Sequence, residues 1–290
     1  MCGIAGLQLR NPDLRPRLGE LVVPMLGMLA GRGPDSTGVA IYRDDAPPGF
    51  VKYSLRAPRD GYDWDELARA LPESAELRRR GRDAVLVTAA EDPLAGLDPA
   101  IGVFGYGAAI EVYKDTGAAP EVCARYGVAG LAGYQAIGHT RMATESAVTT
   151  EHSHPFAVAT DLALVHNGSF SNYASIRRDL TDAGVRFDTD NDSEVAARFI
   201  AQQMADGETD LSEALRRVMK VFDGFFTLLV ATGSSLAVVR DSFACKPMVV
   251  AQTDDYVAVA SEYVALADLP GIEKAAVFEP APEEIYTWSA

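Results

Sequence analysis

The chain opens MCGIAGLQLR (residues 1–10), with a cysteine directly behind the initiator methionine and two glycines among apolar residues. A terminus is normally the frayed end of a domain. This one reads instead as a first buried strand, GIAGLQL over 3–9, and the rest of the chain repeats its character. Short apolar runs at 38–43, 84–90, 109–114, 136–142, 162–168, 225–232, 236–241, 248–252 and 256–261 are nearly all bounded by Gly, Asp or Pro, as strands are. Helical spacing appears between them. Ile176 and Leu180 stand four apart in 173–184, Val195, Phe199 and Ile200 share a side of 192–205, and Leu211, Leu215, Val218 and Phe222 repeat through 211–222. Gly184 and Gly224 occupy the places of helix C-terminal caps. The pattern predicts an α+β protein in which sheets dominate and helices cover them.

With 290 residues, 48% of them hydrophobic, the chain can bury a large core without staples. Cys2, Cys123 and Cys245 are odd in number and widely spaced, which fits neither a disulfide framework nor a zinc knuckle and suits a reducing cytoplasm. The sequence shows no basic leader with a long apolar run and no stretch of membrane-spanning length, so no membrane partner is expected. A formal charge of −15 repels a phosphate backbone over most of the surface, which argues against nucleic acid. Residues 44–125 are the least regular part. Their Pro, Gly and charge content, with a helix-like stretch WDELARALPESAELRRRGR (64–82), suggests an elaborated insertion in a single domain spanning 1–290.

Loss of Met1 is expected when a small residue follows, and it would leave Cys2 with a free α-amine on the carbon that bears its thiol. A thiol of reference pKa about 8.5 beside an amine of about 7.7–8.0 is a nucleophile with a built-in base. All four histidines, His139, His152, His154 and His166, fall in one stretch of the chain. A metal site is one explanation, but they sit on different segments without helical i, i+4 pairing, and no carboxylate or cysteine spacing completes a zinc pattern, so no metal is expected.

A second explanation takes in the whole set. MCGIAG, GRGPDSTG (31–38), GHTRMAT (138–144), HP (154–155), VHNGSFSN (165–172) and NDSEV (191–195) resemble, in order, the motifs of the class II glutamine amidotransferases. The resemblance continues to about residue 266. It implies the four-layer αββα fold of the N-terminal nucleophile hydrolases and a glutaminase half-reaction in which Cys2 forms a γ-glutamyl thioester. It implies Asn167 and the Gly168 N–H as an oxyanion hole, Arg141 on the substrate α-carboxylate, Asp192 on its α-ammonium, and the main chain around Thr144 as a further contact. Arg32 and Gly33 would belong to a mobile loop over bound glutamine, and His154 would support that loop by hydrogen bonding. Met142, Glu145 and Phe156 depart from residues common in the family, at places that bear on glutamine-loop packing. Cys123, Cys245, Asp241 and Lys246 are read as structural.

The family delivers nitrogen to a synthase site, and no synthase domain is recognisable in this chain. The expectation is therefore a separate synthase subunit, with glutamate or N-methylglutamate as product. The overall run of motifs looks like the stand-alone amidotransferase-type subunit beside glutamate-synthase-like proteins, including the amidotransferase-type subunit of N-methylglutamate synthase in methylamine metabolism. Flavin and iron–sulfur sites would lie on the partner, and no cofactor is expected in this chain. Two alternatives stay open: a stand-alone γ-glutamyl amidohydrolase acting on a larger γ-glutamyl compound, and a non-catalytic subunit retaining the fold.

Overall fold

The computed structural model describes residues 1–89, 97–143, 147–205, 207 and 209–290. In chain order the elements are β1 (Gly3–Leu9), α1 (Leu18–Met28), β2 (Ser36–Tyr42), β3 (Phe50–Arg56), α2 (Trp64–Ala70), β4 (Glu76–Arg80), β5 (Asp83–Ala89), β6 (Gly102–Gly107), β7 (Ile110–Thr116), α3 (Ala119–Tyr126), β8 (Gln135–Arg141), β9 (Phe156–Ala159) and β10 (Leu162–Phe170). They continue with α4 (Tyr173–Asp182), α5 (Asp192–Met204), α6 (Leu211–Val221), β11 (Gly224–Ala231), β12 (Ser235–Arg240), β13 (Val249–Gln252), β14 (Tyr256–Ala260), β15 (Ala276–Phe278) and β16 (Ile285–Ser289).

Two antiparallel sheets lie face to face. One runs β15-β13-β14-β1-β8-β2-β7 and the other β16-β12-β11-β10-β9. The two-residue period of a strand sends alternate side chains to opposite faces, so a strand buried on both sides is largely apolar and pairs the polar groups it carries. In β1, Ala5, Leu7 and Leu9 join Leu18, Val22, Met25 and Leu26 of α1 and Val122, Cys123 and Tyr126 of α3, while Ile4 joins Val165 and Leu229 between the sheets. In β10, Leu162 and Leu164 pack under α4, α5 and α6, and Ala163 and Val165 face the other sheet. Three apolar layers thus stack between helix, sheet, sheet and helix, the αββα order expected from the motifs. Gly6 lets the sheets approach: a Cβ there would stand 2.7 Å from Leu229 Cδ2, so a side chain at 6 would wedge the layers apart. The fully buried Gln8 is tied in through its amide nitrogen, Nε2 donating to Gln135 Oε1 at 2.7 Å, while Gln135 Nε2 donates at 2.9 Å to Thr232 O, just past β11 of the other sheet.

A third sheet, β4-β5-β3-β6, is built from residues inside the irregular stretch, with Leu55, Trp64, Leu67 and Leu86 in its own small core. The same stretch also supplies β7 to the edge of the large sheet and α3 to its helix layer. The helix-like reading of 64–82 is corrected: the helix ends at Ala70 before Pro72, and Glu76–Arg80 is an edge strand. Gly184 follows the end of α4 with φ +90, whereas Gly224 opens β11, where a Cβ would meet Ser169 O at 2.2 Å. Cys123 is buried, and burial pushes its thiol up to about 11, which makes it inert. Cys245, free and exposed, sits in the β12–β13 connection. Among the described residues no helix is long and apolar enough to cross a membrane.

Candidate active site

The C-terminal end of β8, the N-terminus of β1 and the middle of β10 meet at one end of the sandwich. Pairing of Gly3 with Thr140 puts Cys2 beside Arg141 and Met142. The Cys2 thiol lies 3.4 Å from the Met142 N–H and 3.7 Å from its carbonyl oxygen. From the opposite sheet the buried Asn167 donates through Nδ2 to Cys2 O at 3.1 Å, and Arg32 Nε donates to the same oxygen at 3.0 Å. Two donors on one carbonyl fix the backbone that carries the thiol. Met1 is exposed, its amine 2.9 Å from Met142 Sδ.

Next along β10, Gly168 has φ +145 and an ideal Cβ there would lie 2.1 Å from Phe225 O, so only glycine fits. Its exposed backbone turns toward a cavity of about 140 Å³ lined by Cys2, Arg141, Gly168, Asp190, Asp192 and Ser193 among others. Asn191 caps α5 by accepting the Ser193 N–H at 2.9 Å, which sets Asp192 in the first helical turn facing that cavity. Asp192 accepts from Phe170 N at 3.0 Å and from Ser193 Oγ at 3.3 Å. A carboxylate cannot donate, so the Ser193 hydroxyl proton goes to Asp192 and His166 Nδ1 donates to Ser193 Oγ at 2.8 Å. Burial lowers the Arg141 pKa against the pull of Cys2, Asp35 and Asp192, and its Nη1 donates to Ala147 O at 2.9 Å. The cavity therefore presents a thiol, a guanidinium and the carboxylates of Asp190 and Asp192, a set that suits an α-amino acid.

Known proteins are similar to this chain in sequence and in fold. Residues 139–268 match the model of a glutamine amidotransferase domain. Over 297 aligned residues the chain is 45% identical to the glutamine amidotransferase-like protein GlxB of Rhizobium meliloti (strain 1021), covering 99% of this chain and 98% of that one. The chain belongs to the class II glutamine amidotransferases. The amidotransferase is also 31% identical to an amidophosphoribosyltransferase of Methanocaldococcus jannaschii, over 55% of this chain and 34% of that one. Its fold superposes on glutamine phosphoribosylpyrophosphate amidotransferase from B. subtilis with a TM-score of 0.65 at 19% identity, covering 99% of this chain and about half, 47%, of the solved one.

Of the residues singled out in the sequence, the fold brings Cys2, Arg141, Gly168 and Asp192 to one cavity, with Asn167 bonded behind the thiol. Arg32 and Gly33 are placed differently from the lid expected of them. Arg32 grips Cys2 O and pairs with Glu262, and Gly33 packs against the Thr140 backbone, so neither is among the described residues that line the cavity. His154 does line it, but by packing: neither ring nitrogen has a hydrogen-bond partner among the described residues, and the ring stacks on His139 at 4.1 Å. Thr144 and Glu145 lie outside the described residues. The sequence reading missed Tyr173, Asp190 and Ser193 in the wall and Asp35, which accepts the Ala143 N–H at 2.8 Å. Asp190 and Ser193 flank Asn191 and Asp192, so the NDSEV motif was their available signal, whereas Asp35 sat unremarked inside GRGPDSTG.

Proposed function

We propose that the mature chain lacks Met1 and hydrolyses the side-chain amide of glutamine at Cys2. The α-amine of Cys2 takes the thiol proton, directly or through water, and the thiolate attacks the amide carbon. Negative charge on the carbonyl oxygen is met by the Gly168 N–H and by the Asn167 Nδ2 proton not spent on Cys2 O. The C–N bond breaks as the α-ammonium returns its proton to the leaving nitrogen, ammonia departs, and water cleaves the thioester to glutamate and the thiol. Arg141 pairs with the α-carboxylate and Asp192 with the α-ammonium of the substrate. What carries this reading is the single cavity shared by Cys2, Arg141, Gly168 and Asp192.

The nitrogen then passes to a separate synthase subunit, with glutamate or N-methylglutamate as product. The separate subunit, though not the product, draws support from the match to a relative of nearly the same extent, which leaves little room for a fused synthase in that protein. The test is the intact mass of the purified chain before and after 6-diazo-5-oxo-L-norleucine, a glutamine-like electrophile, with Cys2→Ala alongside. Loss of the methionine mass followed by one adduct, absent from the variant, is the expected result. A retained Met1 with no adduct sinks the reading. Full-rate glutamine hydrolysis by the isolated chain favours a stand-alone amidohydrolase over a synthase subunit.

A further inference from the structure

Lys114 of β7 is buried, and no step above uses it. Its Nζ donates to Ser153 O at 2.8 Å, to Pro155 O at 3.3 Å and to Glu151 O at 3.4 Å. An ammonium has three protons to give, and all three go to carbonyls of one five-residue turn. Phe104 of β6 and Phe156 of β9 lie 4.8 and 5.1 Å from the same nitrogen, so the charge is held between two ring faces as well.

That turn carries two contacts of the cavity at Cys2. His154 lines the cavity directly, and His152 Nε2 bonds at 2.7 Å to Asp190, another of its lining residues. The turn, which ends where β9 begins, belongs to no sheet, so the carbonyls of Glu151, Ser153 and Pro155 take their donor from Lys114. Behind it lies a second cavity, of about 380 Å³, whose wall includes Lys114, Phe104, Glu151, Phe156 and Glu194. The turn is a partition: His154 faces one space, while Glu151 and Phe156 face the other.

We propose that Lys114 is a positioning residue for substrate at the Cys2 site, fixing through the 151–155 turn the wall of the cavity that faces the amino-acid end of glutamine. The proposal rests on the reading of that cavity as a glutamine site. None of these partners of Lys114 belongs to β1 or β10, the strands that carry the thiol and the Asn167–Gly168 pair. Loss of the clamp therefore weakens substrate binding and spares the chemical step.

Glutamate release by the full-length chain is measured against glutamine concentration for wild type, Lys114→Met, Lys114→Gln and Lys114→Arg, each checked for a cooperative thermal transition. In Lys114→Met the KM for glutamine rises on the order of tenfold with kcat within about threefold. Lys114→Gln, with two donors, rises less, and Lys114→Arg, which keeps a cation and several donors, returns toward wild type. A folded Lys114→Met with KM within about twofold of wild type, or a loss confined to kcat, overturns the proposal. Where Lys114→Met does not fold, Lys114→Gln decides by the same criterion. A wild-type chain that neither labels at Cys2 nor releases glutamate overturns the glutamine reading and this one with it; an active wild type with all variants unchanged overturns this one alone.

Discussion

The two-sheet sandwich and the small third sheet are held by different forces. Every residue of β1, β2 and β8 is buried, and the faces of those strands meet apolar layers on both sides. The third sheet has an exposed, charged edge in Glu76–Arg80 and joins the sandwich partly through buried ions. Arg56 of β3 donates to Asp83 at 3.2 Å, to Tyr126 OH at 2.8 Å, to Asp115 at 3.0 Å and to Thr150 Oγ1 at 3.1 Å. Apolar layering is indifferent to small shifts along the surface, whereas a fork of directed hydrogen bonds is not. The sandwich thus supplies the rigid frame for Cys2, and the third sheet is keyed to the turn beside the cavity at Cys2.

The hardest blow to this contrast comes from Arg56→Met. It leaves Asp83 and Asp115 buried without their shared guanidinium, and breaking such a pair costs about 3–5 kcal/mol. Chemical denaturation should show that loss, with glutaminase activity per folded molecule falling mainly through KM. A variant as stable as wild type would mean that the third sheet is held by its apolar contacts after all. Asn167→Ala probes the other region. Removing one oxyanion donor lowers kcat by on the order of 10²–10³, while stability changes little; a drop in stability with kcat intact would reassign Asn167 to holding Cys2 O alone.

Three histidines give the sandwich a pH dependence of its own. Burial holds His139 down at about 3 and pulls His154 and His166 below the ordinary value as well. In the unfolded chain each takes a proton near pH 6.5, one that the folded chain refuses. Stability is therefore full above about pH 6.5 and falls as pH drops toward 3, by at most about 1.4 kcal/mol per pH unit per histidine. Thermal melts of wild type and His139→Asn from neutral to acid pH read this slope, which should be shallower in the variant. Equal slopes would show that His139 titrates as an exposed imidazole does. The smallest expected effect is a gain. Gly27 lies within α1 with nothing inside 4 Å of its would-be Cβ, so Gly27→Ala adds about 0.5–1 kcal/mol without touching activity. A loss there would reveal packing against the helix layer that the open space does not suggest.

The same contrast explains what the sequence made legible. Strands of the sandwich announce themselves because burial on both faces demands continuous apolar runs, and β1, β10 and β11 fall within two residues of the runs read for them. The motifs around Cys2, Arg141 and Asn167 are readable because each lies on or beside such a strand, and that around Asp192 because it opens the helix α5. β4 reads as helix since ELRRR is built from good helix formers, and only its pairing with β5 makes it a strand. Lys114 gives no signal either: its partners are backbone carbonyls, which every residue possesses. Arg32 misleads for a related reason, as a guanidinium aimed at a main-chain oxygen looks in sequence like one aimed at a ligand.

The position of β1 in its sheet governs when the enzyme can be assembled. Ala5 is paired on one side with Gly138 and on the other with Ala260. β1, ahead of every other strand of its sheet in the chain, thus waits for nearly the last of them before both its edges are satisfied. Contacts so distant along the chain make folding slow and leave an apolar segment unpaired throughout elongation. The segment that carries Cys2, the proposed nucleophile, is made before the rest of its sheet and is among the last parts of it to be locked in place.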